Sequence, residues 1–159
     1  MNRKLAFAAA GPGVLALLLG VGWMNETPPL SLTVVGGNPT LTIVSAIAGS
    51  QPQSVTNTAT RLDWSTNGTQ NAFKITVSTA CPGQSFSLYL VATGVVEGTA
   101  QPERSLADGM AAIDLIQSIG KSVIGSGTLQ YRAEATAAQG TSAANGDDVH
   151  TITFTLTAQ

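Results

Sequence analysis

Residues 149–158, which read VHTITFTLTA, alternate apolar and polar side chains with a period of two. Ile152, Phe154 and Leu156 fall on one face of this stretch, and threonines occupy the other. A period of two indicates a β-strand with one buried face, and β-branched threonine suits the solvent face of a pleated sheet. The stretch therefore predicts a fold built from β-strands.

The same alternation recurs along the chain. Six further segments share it, and most are bounded by Gly, Pro, Asn or Asp: 31–35, 41–47, 61–66, 73–78, 86–92 and 127–137. Short strands separated by turn signals are typical of an antiparallel sandwich or barrel. We predict an all-β, antiparallel immunoglobulin-like sandwich of about seven strands over residues 31–159. The paired cysteines of antibody domains are missing, because the chain has one cysteine.

Residues 106–119 are the one stretch with helical spacing. Met110, Ile113 and Ile116 recur every three residues, and Gly120 follows as a helix stop signal. Gly109 weakens a helix at this position. The pattern predicts one short helix, with a strand-plus-loop crossover as the alternative.

The first 22 residues are typical of a secretory signal peptide. Arg3 and Lys4 form a basic start, and residues 5–19 are apolar apart from a Gly-Pro-Gly break. The small residues of Gly20–Gly22 predict cleavage before Trp23. The alternative is an uncleaved N-terminal anchor, which would be the only contact of the chain with a membrane. We therefore expect the protein to be exported and to lie at the cell surface or outside the cell.

Residues 23–30 predict an extended linker or arm, because Pro28 and Pro29 favour polyproline II structure. Such an arm, together with the strand predicted at 31–35, could add a strand to the sheet of a neighbouring copy. The pattern favours a flexible tether, and self-association through residues 23–35 is the alternative.

Composition excludes several classes of function. Only 10% of the residues are charged and the net charge is −2, whereas nucleic-acid-binding proteins carry a basic surface. One histidine and one cysteine exclude most metal cages and any intrachain disulfide. We therefore expect no nucleic-acid partner, no metal, no cofactor and no catalytic residues, and hence a protein that is not an enzyme.

The single histidine is interpreted as a structural or edge residue. A hydrolase would need His150 beside an Asp or Ser, but no G-x-S-x-G motif occurs. Asp147 and Asp148 lie in an Asn-Gly-Asp-Asp turn and are interpreted as solvated turn residues, since calcium needs six or more oxygen ligands.

Two further sets of residues are candidates for contacts with partners. Cys81 is interpreted as a small, partly buried thiol, the alternative being an intermolecular disulfide in an oxidising compartment. Trp64, Tyr89 and Tyr131 could contact an extracellular polymer such as carbohydrate. Trp64 alternates with Leu62, however, and this spacing favours burial of both side chains in the core.

Several short segments of the chain resemble small secreted bacterial β-sandwich proteins that are rich in Thr, Ala and Gly. Most of these proteins lack an assigned activity. The segments lie at residues 41–43, 46–52, 54–57 and 151–156. In length and composition the chain is also similar to subunits of pili and surface appendages, although it lacks the paired cysteines of chaperone–usher pilins. The resemblance covers about residues 31–158 and transfers no functional residue.

These patterns together predict an exported, non-enzymatic structural or adhesive protein of the cell surface, which could assemble into filaments or appendages. The alternative is an extracellular module that binds carbohydrate or another polymer.

Overall fold

The computed structural model describes residues 29–44, 47–68, 72–139 and 146–159. These residues form a short 3-10 helix at Ala137–Gln139 and nine strands. The strands are β1 (Ser31–Val35), β2 (Val55–Ser65), β3 (Phe73–Ala80), β4 (Ser87–Val96), β5 (Thr99–Ala100), β6 (Arg104–Leu106), β7 (Ile113–Ile119), β8 (Ile124–Glu134) and β9 (Thr151–Ala158). No helix of the described residues is long and apolar enough to cross a membrane.

The strands form two antiparallel sheets that pack face to face. The first sheet has the order β1-β2-β8-β4-β6, and the second has the order β5-β7-β3-β9. The predicted all-β antiparallel sandwich is confirmed. The additional strands are mainly the two- and three-residue strands β5 and β6, which are too short to show a period.

The core lies between the two sheets, as the period of two predicts. Buried positions alternate with partly exposed ones along β3, whereas in β9 the partly buried inward side chains alternate with exposed threonines. The first sheet contributes Leu62, Trp64, Leu90, Leu129 and Tyr131, and the second contributes Phe73, Ile75, Val77, Leu115, Ile116 and Ile119.

Trp64 is the largest fully buried side chain, and it requires glycine on the neighbouring strand. It is paired with Gly125 of β8. A Cβ atom on Gly125 would lie 2.4 Å from the indole Nε1 and 2.6 Å from the carbonyl oxygen of Val96. The indole ring therefore occupies the space that a side chain on β8 would fill. The prediction that Trp64 and Leu62 are buried is confirmed.

The predicted helix at 106–119 is wrong, and the crossover alternative is correct. Residues 107–112 carry the chain from β6 in the first sheet to β7 in the second. The register between β3 and β7 shifts twice, so that adjacent Leu115 and Ile116 are both buried. A bulge of this kind breaks the period of two. It leaves Ile113, Ile116 and Ile119 three residues apart, which imitates a helix.

The predicted strand at 41–47 is also wrong for residues 41–44, which have no regular secondary structure. Leu41 packs against the core without joining a sheet. Conversely, residues 55–60 form the first half of β2, although they contain few apolar side chains. The register shift between Asn57 and Thr60 explains why no period is visible there.

Residues 1–22, and with them the predicted signal peptide, lie outside the described residues. Of the predicted arm at 23–30, only Pro29 and Leu30 are described, and both lack regular secondary structure. The strand predicted at 31–35 is confirmed as β1.

The contact between Trp64 and Gly125 gives the first prediction. We expect Gly125→Ala to lower the free energy of unfolding by about 2 kcal/mol or more, because overpacking a core costs about 1–3 kcal/mol and the backbone of Val96 also obstructs the methyl group. Gly127→Ala is the matched control, since the nearest atoms to its Cβ would be side-chain atoms, of Val95 at 3.2 Å and of the Trp64 ring at 3.6 Å. Urea denaturation of both variants measures the difference, and equal stabilities would contradict the prediction.

Candidate functional site

The sandwich is open along the flank where β1 and β9 lie. A cleft of about 1130 Å³ runs between the sheets there, beneath residues 37–44 and beside residues 147–152. Tyr131 and Phe154 are among its apolar lining residues. The cleft exists because neither β1 nor β9 has a strand on its outer side in this sheet order.

Exposed apolar side chains surround this cleft. Val34 is 49% exposed, Val44 is 82% exposed and Val149 is 74% exposed, and all three line it. Grouped apolar side chains at a surface commonly mark a site of interaction with another molecule. The flank is therefore the described surface best suited to contact a partner.

One end of the cleft brings together the only cysteine and the only histidine of the chain. The sulfur of Cys81, a carboxylate oxygen of Asp148 and a ring nitrogen of His150 lie within 4.8 Å of one another. Cys81 is buried, whereas Asp148 and His150 are partly exposed. We call these three residues the Cys-Asp-His cluster.

Strand pairing explains how distant parts of the sequence meet in this cluster. Ala80 is paired with Thr151, so continuing the register by one residue brings Cys81 opposite His150. Residues 148 and 150 lie on the same side of an extended chain, because side chains alternate with a period of two. The carboxylate of Asp148 therefore approaches the same point as the imidazole of His150.

Backbone N–H groups hold Asp148 in place. Oδ2 accepts hydrogen bonds from the N–H of Ser85 at 2.9 Å and from the N–H of Phe86 at 2.8 Å. Asp108 has a similar role at Cys81, because its Oδ1 accepts a hydrogen bond from the N–H of Cys81 at 2.7 Å. The two carboxylates thus fix the turn that carries the thiol.

Thr79 orients His150. Its hydroxyl lies 3.1 Å from Nδ1 of the imidazole, and Thr79 is buried. A hydrogen bond between the ring and a buried hydroxyl restricts rotation of the imidazole at the edge of the cleft.

The surroundings favour the uncharged forms of the thiol and the imidazole. Burial raises the pKa of Cys81, and the negative charges of Asp148 and Asp108 raise it further. Burial lowers the pKa of His150, although Asp148 and Asp108 act in the opposite direction. A cysteine nucleophile needs a thiolate stabilised by a nearby positive charge. This environment does not favour a thiolate–imidazolium pair.

The three aromatic residues considered for polymer contact do not share an exposed face. Trp64 is 2% exposed and Tyr131 is 3% exposed, and both belong to the core. Burial also raises the pKa of Tyr131 to about 12. Tyr89 is partly exposed, and the guanidinium of Arg132 lies 4.1 Å from its ring centre. The three rings therefore do not form an exposed platform. Only Tyr89 of the three is partly exposed, and Arg132 covers one face of its ring.

The position of Cys81 also bears on the proposed intermolecular disulfide. Its side chain is buried, being 2% exposed, so its sulfur does not face a neighbouring chain. A disulfide between two copies would require this end of β3 to open.

The Cys-Asp-His cluster was not predicted from the sequence. One cysteine and one histidine exclude most metal cages, but these counts do not show that the two residues lie side by side. The available signal was the spacing of Asp148 and His150 just before a strand, together with a cysteine just after another strand.

Comparison of the chain with known protein families, with curated proteins and with solved structures finds no match in any of the three.

The lowered pKa of His150 predicts a pH dependence of stability. The unfolded histidine titrates near pH 6.5, so the unfolded state binds more protons than the folded state just below this pH. The free energy of unfolding therefore falls as the pH falls from about 7 to about 5. Glu103 and Asp114 have lowered pKa values as well, and they affect stability in a more acidic range.

We expect His150→Gln to remove this part of the pH dependence, because glutamine does not titrate. Urea denaturation of the wild type and the variant at the two pH values provides the measurement. If the wild type and His150→Gln lose the same free energy between the two values, the assignment to His150 is incorrect.

Proposed function

We propose that this chain is an exported, non-enzymatic structural protein of the cell surface whose copies assemble by exchanging β1. The observation that carries the proposal is the way β1 is attached. Among the described strands it pairs with β2 alone, from Ser31 opposite Ser65 to Val35 opposite Arg61. A strand with a single neighbour can be replaced by the identical strand of another copy at little cost, since every contact is formed again.

The connection that follows β1 is long and weakly held. The described parts of residues 36–54 contain no strand, only an isolated bridge residue at Pro52. Few hydrogen bonds tie this segment down, among them a 3.5 Å bond from the Asn57 side chain to the carbonyl oxygen of Thr40. Fully extended, the segment spans up to roughly 60 Å, which is enough to reach a neighbouring domain.

Glycine makes the sharp change of direction at the end of β1. Gly36 and Gly37 have φ angles of +106° and +74°, which side-chain-bearing residues rarely adopt. A Cβ atom on Gly36 would lie 2.1 Å from the carbonyl oxygen of Ala59. The chain therefore leaves the sheet at a defined point, and this point can serve as the hinge of the exchange.

Besides the backbone ladder to β2, side-chain contacts at two positions hold β1 at its own site and add to the cost of releasing it. Leu32 packs against the core, while the other residues of β1 are exposed. Ser65 contacts Ser31 through their hydroxyls at 2.8 Å and also donates a hydrogen bond to the carbonyl oxygen of Pro29. Releasing one half-buried leucine costs less free energy than releasing the buried side chains of a central strand. This difference supports exchange of β1 rather than of any other long strand.

The non-enzymatic part of the proposal is supported by the chemistry of the cleft. Its thiol and imidazole favour uncharged forms, which does not suit a thiolate–imidazolium pair. The location is supported by the signal-like residues 1–22 and by the outward threonines, which suit an exposed sheet face.

Disulfide trapping tests the exchange directly. Thr33 faces Asp63 across the two strands, and paired residues lie within the Cα separation that a disulfide spans. We expect chains carrying Thr33→Cys, mixed with tagged chains carrying Asp63→Cys, to form mixed disulfides upon oxidation. All chains would also carry Cys81→Ser, and mass spectrometry would quantify the mixed product.

Arg61→Cys is the matched control for Asp63→Cys. Arg61 lies two residues away on the same face and opposite Val35, beyond the reach of a disulfide from Thr33. The proposal requires several times more mixed product with Asp63→Cys than with Arg61→Cys. A doubly substituted chain, locked by its internal disulfide, should stay monomeric in size-exclusion chromatography. Equal yields from the two mixtures would refute exchange of β1.

A further inference from the structure

The Cys-Asp-His cluster offers three different metal ligands at one point. A thiol sulfur, an imidazole nitrogen and a carboxylate oxygen lie within 4.8 Å of one another. We propose that Cys81, Asp148 and His150 bind a divalent transition metal ion, with Zn²⁺ as the best match. The inference is independent of strand exchange, because none of the three residues lies in β1 or in the connection that follows it.

The ligand types favour zinc over the hard cations. Zn²⁺ accepts thiolate, imidazole and carboxylate ligands together, whereas Ca²⁺ and Mg²⁺ require oxygen ligands. In a tetrahedral site with ordinary zinc–ligand bonds, the ligand atoms are roughly 3.4–3.6 Å apart. The three atoms therefore need to approach by at most about 1.4 Å, which side-chain rotation can provide. Three protein ligands leave the fourth position for water.

Each ligand already has a second contact that orients it. Thr79 contacts Nδ1 of His150 at 3.1 Å, and the N–H groups of Ser85 and Phe86 hold one carboxylate oxygen of Asp148. Asp108 accepts the hydrogen bond of the Cys81 N–H. Metal-ligating histidines and carboxylates are usually hydrogen-bonded in this way, because the second contact fixes the geometry of the ligand.

The local charge also favours a cation. Asp108 and Asp148 place two carboxylates near the sulfur, and both raise the pKa of the thiol in the metal-free protein. Binding of Zn²⁺ replaces the thiol proton, which leaves to the buffer, and forms a zinc–thiolate bond. The positive charge of the ion then offsets the carboxylates that disfavour the free thiolate.

Titration of the full chain with ZnCl₂ and CoCl₂ tests the site. We expect one equivalent of Zn²⁺ to bind, and Co²⁺ to give the near-ultraviolet absorption of a cobalt–thiolate bond. Neither Mg²⁺ nor Ca²⁺ should compete. Cys81→Ser should abolish the cobalt–thiolate band, while His150→Gln and Asp148→Asn should weaken zinc binding by about tenfold or more.

Asp147→Asn is the control for Asp148→Asn, because Asp147 is the adjacent, exposed carboxylate. It removes the same charge and should leave zinc affinity within about twofold. Thr79→Val keeps the shape of the side chain but removes the contact to His150, and a loss of about 10–100-fold is expected. Circular dichroism of each variant verifies that it is folded.

The wild-type titration decides the proposal even where a variant fails to fold. The inference is overturned if the wild type binds no stoichiometric Zn²⁺, or if Co²⁺ binds without a cobalt–thiolate band. It is also overturned if folded Cys81→Ser and Asp147→Asn bind zinc equally well.

Discussion

The pairing of β9 with β3 is the contact on which the second sheet and the Cys-Asp-His cluster both depend. It is continuous over eight residue pairs, from Phe73 opposite Ala158 to Ala80 opposite Thr151. It brings Ile152, Phe154 and Leu156 against the core, and burying such side chains completely contributes about 1.5–3 kcal/mol each. Without this ladder one edge of β3 would have unpaired backbone groups, and His150 would have no fixed position relative to Cys81.

The two edge strands of the open flank differ in how firmly they are held. β9 is held by a continuous ladder and by three apolar side chains, whereas β1 has one half-buried leucine and a long irregular connection. Edge strands are commonly protected by lysine, proline or a bulge. Residues 151–158 contain neither lysine nor proline, and their pairing with β3 shows no bulge. The cleft is therefore flanked by β1, which can be replaced, and by β9, whose edge is unprotected.

The regular strands could be predicted from the sequence because one face of each is buried. β1, β3 and β9 begin within two residues of their predicted starts, since their alternation is unbroken. β7 could not be recognised, because the bulge that buries both Leu115 and Ile116 turns a period of two into a period of three. The strand expected at 41–44 failed for the opposite reason: its alternation is regular, but no neighbouring strand pairs with it.

The candidate site was less accessible to sequence reasoning than the fold. A local pattern shows that β3 and β9 are strands, but not that they are neighbours. Only this pairing turns one cysteine and one histidine into adjacent groups. The same limit applies to the aromatic residues, where Trp64 was correctly expected in the core, while the burial of Tyr131 depends on which face of β8 meets the second sheet.

The distance in sequence between the two halves of the β3–β9 ladder has a consequence for biosynthesis. Thr79 and His150 are 71 positions apart. At translation rates of about 5–20 residues per second, roughly 4 to 14 s pass between the synthesis of β3 and the synthesis of its partner. During this time the backbone N–H and C=O groups along one edge of β3 lack their partners in this ladder. An unpaired strand edge can pair with another chain, so a delay before β9 emerges leaves β3 open to aggregation.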